Sequence, residues 1–441
     1  MSAKPKVIVL DDDPTGSQTV HSCLLLMRWD VDTLRMGLQD ESPIFFVLTN
    51  TRALPPESAA SVTREVCHNL KIALTAEKIQ DFLIVSRSDS TLRGHYPIET
   101  DVIAQELGPF DAHFLVPAFL EGGRMTRDSV HYLIIDGVPT PVHETEFARD
   151  SVFSYHHSYL PQYVEEKTQG QIKADSVERF LLADIRAGTT ERLLQLHNNQ
   201  CCVVDGETQA DLNRFAQDAL SAVSQGKRFL FRSAASILAA LAGLPPQPIA
   251  PENMAEYVRD GKPGAVVVGS HVKKTTQQLE TLLQAEGTEG IEIDVADLLN
   301  QSDRSATLLT DVLQSIHTAH KTGKTPVIYT SRKELTFEDV KTRLQFGAKV
   351  SGFLMDIVRG LPSDIGFLIS KGGITSNDVL SSGLNLTSAR LLGQILPGCS
   401  MVRTPENHPQ FPNLPVVLFP GNVGDSSALE TIYQRLSTKT G

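Results

Sequence analysis

Two α/β domains in tandem, each a mainly parallel sheet flanked by helices, are the architecture that this chain of 441 residues predicts. Two observations carry the expectation. Short β-branched and aliphatic runs alternate with longer amphipathic stretches, and the alternation is interrupted once, by a Pro-rich passage, before it resumes. The length agrees, since roughly 150 residues per domain gives two or three domains.

In the first half the runs are Lys6–Leu10, Cys23–Met27, Ile44–Leu48, Phe82–Val85, His113–Val116, Cys201–Val204 and Arg228–Phe231. Their separation by helical stretches indicates crossover units with parallel strands. The interruption is LPPQPIAPEN (Leu244–Asn253), followed by DGKPG (Asp260–Gly264). Proline cannot donate to a ladder and glycine relaxes the backbone, so the expected division is a domain over 1–245, a connection over 246–264 and a domain over 265–441. The second series has strands at Ala265–Val268, Pro326–Tyr329, Gly366–Ile369 and Val416–Phe419. Helical periods fit Thr275–Gln284, Ala306–His320 and Phe337–Val358. The stretch Pro139–Gly170 mixes Pro, His, aromatic and acidic residues without a period, and reads either as an excursion over the first domain or as a cap on its cleft.

Composition bounds the function. The chain is 41% hydrophobic and 21% charged, enough for sizeable cores, and no run approaches the ~18 apolar residues of a membrane span. The start, MSAKPKVIVLDDD, lacks the apolar region and cleavage site of a signal peptide, so a cytoplasmic location is expected. Acids outnumber bases by 52 to 40, a formal net charge of −12. Nucleic acid and membrane surfaces call for a basic footprint, so neither is an expected partner. The five cysteines, Cys23, Cys67, Cys201, Cys202 and Cys399, form no CxxC and read as buried thiols.

The chemistry-bearing residues stand at strand ends, where open α/β sheets place their ligands. The first strand runs into Asp11, Asp12, Asp13, Pro14, Thr15 and Gly16. Adjacent acids repel unless a cation, a metal or substrate hydroxyls compensate; the plain alternative is a helix cap with solvated acids. Another strand end carries Arg87, Asp89, Ser90 and Arg93. Arginine offers a planar fork to a carboxylate or phosphate, although these two could equally pair with Asp89 and the aspartate triad. A third, Glu121–Gly122–Gly123–Arg124, adds paired glycines and a further cation. The second half holds three glycine-bearing strand ends: Gly269–Ser270–His271, Lys371–Gly372–Gly373–Ile374–Thr375, and Pro420–Gly421–Asn422–Val423–Gly424–Asp425. Free backbone N–H groups and a glycine's close approach suit phosphate there, so three such loops in one domain point to a nucleotide.

Common nucleotide signatures are missing. Gly323–Lys324–Thr325 follows a helix and precedes a strand, the reverse of the P-loop order, and reads as a helix stop. His143–Glu144 and His156–His157 lack metal-ligand spacing. Residue types and spacing thus reach an anion-binding α/β enzyme.

The runs DDDPTGSQTV (Asp11–Val20), SRSDSTLRGHYPIE (Ser86–Glu99), SKGGITSNDV (Ser370–Val379) and FPGNVGDSSAL (Phe419–Leu429) closely resemble the four-carbon acid sugar kinase family. TEFARDSVF (Thr145–Phe153) and YVEEKTQG (Tyr163–Gly170) extend the likeness over nearly the whole chain. The resemblance implies an N-terminal substrate domain, a C-terminal nucleotide-binding domain, and ATP-dependent phosphorylation of the terminal C4 hydroxyl of a tetronate. Its nearest subfamily is the 3-oxo-tetronate kinases, with D-threonate or D-erythronate as the alternative acceptor. A non-catalytic sensor of sugar acid or nucleotide is the alternative of another class. Family ATP contacts carry over to Ser270, Gly372, Gly373, Ile374, Thr375 and Gly421.

On this reading Mg²⁺ bridges the ATP phosphates, with no protein ligand assigned. Arg87 and Arg93 hold the substrate carboxylate, Asp89 and Ser90 are further substrate contacts, and the cluster Asp11, Asp12 and Asp13 holds the hydroxyls. Asp12 and Asp425 are the two candidates for general base. The active site is expected in the cleft between the domains, whose closure excludes water. A homodimer is the commonest oligomer and the default expectation.

Overall fold

The computed structural model describes residues 4–298, 302–332 and 340–437. The chain forms two compact units, Met1–Pro246 and Gln247–Gly441.

The first unit is built on strands β1 (Lys6–Asp11), β2 (Leu24–Leu26), β3 (Ile44–Leu48), β4 (Phe82–Arg87) and β5 (Ala112–Val116). A small hairpin sheet, β6 (Arg124–Arg127), β7 (Val130–Ile135) and β8 (Val138–Pro141), comes next, then β9 (Glu178–Phe180), β10 (Gln200–Val204) and β11 (Phe229–Ser233). The main sheet runs β2-β3-β1-β4-β11-β5-β10-β9, with every pair parallel. Strands covered on both faces read as unbroken apolar runs, and Ile44–Leu48 is buried at every residue for that reason. On one face Leu34, Val66, Leu70 and Ile103 join Phe45 and Ile84 in a core cluster. Phe114, Phe180, Phe215 and Phe231 interlock as an aromatic cluster.

The hairpin sheet was not expected. Its strands pair antiparallel, and Asp136 and Gly137 turn between β7 and β8 with φ of 50° and 81°. Asp-Gly is the preferred pair for such a two-residue turn. The stretch from Pro139 to Gly170 resolves into short 3₁₀ turns and a helix at Leu160–Lys167. Its Val142, Tyr155, Leu160 and Tyr163 form an apolar cluster with Leu92, Tyr96 and Leu115, so it packs over β5 and the loop that follows β4.

The second unit has strands β12 (Ala265–Val268), β13 (Thr288–Ile293), β14 (Thr325–Thr330), β15 (Leu368–Lys371), β16 (Ser388–Leu396), β17 (Cys399–Arg403) and β18 (Pro415–Phe419). Their order is β13-β14-β12-β15-β18-β17-β16. The pairs from β13 to β18 are parallel, while β17 pairs antiparallel with both β18 and β16. Strands β13, β16 and β17 escaped the sequence reading. In β13 only Ile291 and Ile293 are buried, and an interior glycine weakens the pattern further.

Helices occupy Lys273–Leu282, Ser302–Lys321 and Val340–Arg359, close to the periods read from sequence; residues 337–339 of the third lie outside the described residues. Gly323 turns the chain with φ 78° between helix and β14, which is the helix stop expected of Gly-Lys-Thr. The stretch expected as a connection over 246–264 belongs largely to the second unit. Residues Pro251–Tyr257 form a 3₁₀ turn whose Met254 is fully buried in the core with Phe367, Val417 and Leu429. Burying one large apolar side chain is worth about 2 kcal/mol, enough to hold a Pro-rich segment down. All five cysteines are buried thiols outside any disulfide. Among the described residues no helix is long and apolar enough to cross a membrane.

Candidate active site

In the first unit β1 lies between β3 and β4, so the chain winds outward from it in both directions. The carboxyl end of β1 is therefore a switch point of the kind where open sheets form a ligand crevice. Register pairs Asp11 with Leu48 of β3 and with Arg87 of β4. The pairing gathers the residues at and beyond each strand end: Asp12 and Asp13 after β1, Arg52 after β3, the 88–97 loop after β4, and Arg232 with Ser233 on β11.

The acids and arginines form one network. Arg87 Nη1 lies 3.1 Å from Asp11, and Arg52 Nη2 lies 3.2 Å from Asp12 and 2.9 Å from Asp13. Arg52 also reaches Asp89 at 3.6 Å, and Arg93 holds Asp89 at 2.8 Å. Ser88 Oγ donates to Asp12 Oδ2 at 2.6 Å, while Arg232 donates to Ser86 Oγ and pairs with Glu99 at 2.6 Å. Gly94, at φ 131°, sits where a Cβ would lie 2.3 Å from Ser88 Oγ and 2.7 Å from Arg232 Nη2, so only glycine lets this loop close on both.

Charge burial dominates the electrostatics. Burial pushes Asp11 up to about 7 although Arg87 opposes it. Burial likewise raises Asp12, against the pull of Arg52. Burial would raise Asp13 and Asp89 too, but Arg52 and Arg87 bring Asp13 below the ordinary carboxylate value, and Arg93 and Arg52 do the same for Asp89. The site thus holds two carboxyls that burial shifts towards the protonated form beside two that their arginines shift towards the ionised one. Asp11 Oδ2, Asp12 Oδ1 and Arg87 Nε are buried without a hydrogen-bond partner, and each such group favours a polar ligand that completes it.

The structure brings Asp11, Asp12, Asp13, Arg87, Asp89 and Arg93 together, and Ser90 lies in the same loop with its carbonyl turned to His131. Arg87 is buried and engaged with Asp11, whereas Arg93 is part-exposed and lines a small cavity of about 20 Å³ with Ser88, Asp89, Tyr96, Tyr163 and Arg232. Sequence reasoning missed Arg52, Arg232 and Glu99. Their signal was position, since Arg52 follows β3 and Arg232 sits at the end of β11.

In the second unit β12 lies between β14 and β15, which makes a second switch point. Ser270, Gly372, Thr375 and Gly421 converge there. A Cβ on Gly372 would lie 3.0 Å from Thr375 Oγ1 and 3.1 Å from Ser270 Cβ, and one on Gly421 would lie 3.2 Å from Ser270 Oγ. Thr275 Oγ1 donates at 3.1 Å to Ser270 Oγ and lies 3.1 Å from Gly421 O. Gly373 opens the short helix Gly373–Asp378, and Ile374 on it is exposed.

Two cations that the sequence reading did not assign support these loops. Arg332 Nη1 donates to Ser270 O at 2.6 Å. Lys371 is fully buried, donates to Pro420 O at 2.6 Å and stands 3.8 Å over the Phe419 ring; burial pushes its ammonium down to about 7. Asp425 is exposed, with Oδ1 accepting from Ser427 N at 3.0 Å and Ser427 Oγ at 2.9 Å in the turn before the helix Ala428–Ser437.

Comparison with known proteins matches each unit separately. A family model described as a sugar-binding N-terminal domain covers residues 7–241, and one described as a nucleotide-binding C-terminal domain covers residues 265–429. The D-erythronate kinase of Heliobacterium modesticaldum is 25% identical, over 98% of this chain and 97% of that protein. The D-threonate kinase of Bordetella bronchiseptica is 28% identical over 36% of this chain and 38% of its own length. Among solved structures, a Salmonella typhimurium protein superposes with a TM-score of 0.72 at 18% identity, covering 98% of both chains. A Haemophilus influenzae protein does so with a TM-score of 0.64 at 17% identity, covering 97% of this chain and all of that one. At these identities the structural likeness shows a shared fold.

Proposed function

The chain belongs to the four-carbon acid sugar kinases, ATP-dependent phosphotransferases that act on sugar acids, and we propose that it phosphorylates the C4 hydroxyl of a tetronate. The observation that carries the reading is the pair of switch points. An acid–arginine network fills the one in the sugar-binding unit, and converging glycine loops fill the one in the nucleotide-binding unit.

The labour then divides between the units, with residues 1–245 for the sugar acid and 265–441 for ATP. Ser270, Gly372, Gly373, Ile374, Thr375 and Gly421 cradle the phosphates through backbone N–H groups, with Arg332 and Lys371 holding the loops in place. In the other unit Arg93, part-exposed at the carboxyl end of the sheet, takes the substrate carboxylate, since Arg87 is buried and already engaged by Asp11. Asp13 and Asp89, held ionised by their arginines, accept from substrate hydroxyls; Asp11 and Asp12 complete the network beneath.

Phosphoryl transfer rests on positioning and charge neutralisation more than on covalent chemistry. Asp425 takes the proton of the attacking hydroxyl, because its exposed carboxylate follows the Gly421–Gly424 loop while Asp12 is buried against Arg52 and Ser88. Magnesium is implied by the family. No group of three or more His, Cys, Asp or Glu among the described residues is arranged to hold a metal, which suits an ion carried on nucleotide phosphates and water rather than in a protein cage. Bound there, it would neutralise phosphate charge. Five buried cysteines outside any disulfide and the use of ATP fit a cytoplasmic setting.

The sequence resemblance favours a 3-oxo-tetronate as acceptor, while the named relatives favour D-erythronate or D-threonate. A coupled ADP-release assay with Mg²⁺ and ATP, across D- and L-threonate, D- and L-erythronate and the 3-oxo-tetronates, tests the proposal. Turnover on at least one of them is expected, and its kcat/KM ranking names the acceptor. Absence of turnover on all of them overturns it, and ligand stabilisation without ADP release would point to a sensor instead.

A further inference from the structure

The loop after β4 carries Asp89 and Arg93, and three of its consecutive carbonyls are each capped by a side chain from one distant stretch. His131 Nε2 lies 2.8 Å from Ser90 O, Tyr155 Oη donates to Thr91 O at 2.7 Å, and Tyr163 Oη donates to Leu92 O at 2.8 Å. His131 comes from β7, and Tyr155 and Tyr163 come from the excursion over Pro139–Gly170, the one before and the other within the helix Leu160–Lys167. All three are buried.

The chemistry of each contact is one-directional. A carbonyl only accepts, so His131 donates from Nε2, and its Nδ1 accepts from Thr126 Oγ1 at 2.9 Å. Burial pushes the imidazole down to about 4, which keeps it neutral in that tautomer. Leu92 is held at φ 67°, a left-handed conformation that a branched residue adopts only when its surroundings impose it. The same excursion grips the side chain of Arg93, with Asp150 at 3.5 Å and the Phe147 ring 4.9 Å beneath its guanidinium.

We propose that His131, Tyr155 and Tyr163 are positioning residues that set the sugar-acid specificity of the site, by fixing the Ser90–Leu92 backbone and hence the aim of Asp89 and Arg93 at the carboxyl end of the sheet. The inference rests on the kinase reading given above and deepens it. It makes the excursion a template for the acceptor rather than a surface elaboration. A polar acceptor with one inverted hydroxyl is then discriminated by where two charged side chains point, and that direction is set from behind the loop by His131 and Tyr155, with Tyr163 acting from the cavity wall beside them.

The test uses Tyr155→Phe, Tyr163→Phe and the double variant of the full chain. Each removes one hydroxyl and leaves a buried carbonyl without its donor, while the ring packing is kept. The double variant is expected to raise KM for the preferred tetronate by about 10-fold or more, the loss of an aligned hydrogen bond or two. It should also compress the kcat/KM ratio between the D-erythronate and D-threonate series, and leave KM for ATP within about twofold. A merely structural role would lower the folded fraction, and so scale turnover on all acceptors alike with both KM values unmoved. That outcome overturns the proposal, as does a parallel rise in KM for ATP.

Hydrogen exchange of the amides over residues 88–93 separates failure of this inference from failure of the kinase reading. Faster exchange confined to that loop in Tyr163→Phe is expected whatever the substrate proves to be. Unchanged exchange there refutes the clamp even if the wild type is an active kinase.

Discussion

Replacing Gly372 with alanine should weaken ATP binding and spare the sugar acid. Gly372 holds φ 124° and ψ 142°, a combination that L residues rarely adopt and that raises the free energy by about 1–3 kcal/mol when they do. A Cβ would also stand 3.0 Å from Thr375 Oγ1, 3.1 Å from Ser270 Cβ and 3.4 Å from Ser270 N, all of them parts of the expected phosphate cradle. The loop can relieve the strain only by moving those groups. If the strain appears as lost cradle geometry, 1–3 kcal/mol corresponds to about a 5- to 150-fold rise in KM for ATP. The assay is coupled ADP release at saturating tetronate, with nucleotide titrated, and calorimetric ADP binding as a check that KM tracks affinity. KM for the tetronate should stay within about twofold. A folded variant whose ATP KM and ADP affinity match the wild type would refute the reasoning. So would one in which the whole penalty appears as a lower melting temperature with nucleotide binding intact, for then the loop geometry is not what the phosphates use.

Asp425→Asn keeps the acceptor oxygen that the turn at Ser427 needs but cannot take a proton, so kcat should fall by about 100-fold or more with both KM values nearly unchanged; near-normal turnover would remove Asp425 as the base. Arg52→Gln withdraws the cation shared by Asp12, Asp13 and Asp89, and removing one partner of such a buried network destabilises by about 3–5 kcal/mol, to be read as a lower urea midpoint together with a raised tetronate KM. An unchanged midpoint would show that the three acids do not depend on it. Lys371→Met tests a pH dependence whose sign is fixed by burial. The ammonium is pushed down to about 7 in the folded protein from 10.5, so the unfolded chain binds more protons above pH 7, and this group's contribution to stability grows towards pH 10 and is lost as pH falls through about 7. The stability of the wild type relative to the variant should therefore rise by up to about 1 kcal/mol per pH unit from pH 7 to 9, and parallel urea-midpoint curves would refute it.

The parallel core was legible in the sequence because strands covered on both faces must be apolar throughout. Ile44–Leu48 and Val416–Phe419 announce themselves without any context. Strands that pair antiparallel or lie at an end of the sheet carry no such demand. β13 buries only its two isoleucines, β6 reads Arg-Met-Thr-Arg with Thr126 alone buried, and β7 buries only His131 and Leu133, so none of them carries the signature of a two-sided core strand. The Asp136–Gly137 pair flanked by IleIle and ValPro was the one local signal for the hairpin sheet. The candidate site divides the same way. Asp11–Asp13 and Arg87–Arg93 are contiguous and could be seen as clusters, whereas Arg52, Glu99 and Arg232 are single residues made neighbours only by the order β3-β1-β4-β11.

On the proposed function the two readings left open for the arginines, substrate grip or partner of the acids, do not compete, because the network holds Arg87 and Arg93 in different layers. Arg87 is buried against Asp11, and freeing it for a substrate would leave a buried carboxylate without its cation. Arg93 is part-exposed at the cavity wall, yet it too is anchored, by Asp89 beneath and Asp150 beside it. Anchoring one face of a guanidinium does not exhaust its five donors. It removes rotamer freedom that binding would otherwise have to remove, so a carboxylate meets a fork already aimed. The dense acid content of the site, which on a bare count of charge argues against an anionic ligand, is on this geometry what holds the cations ready for one.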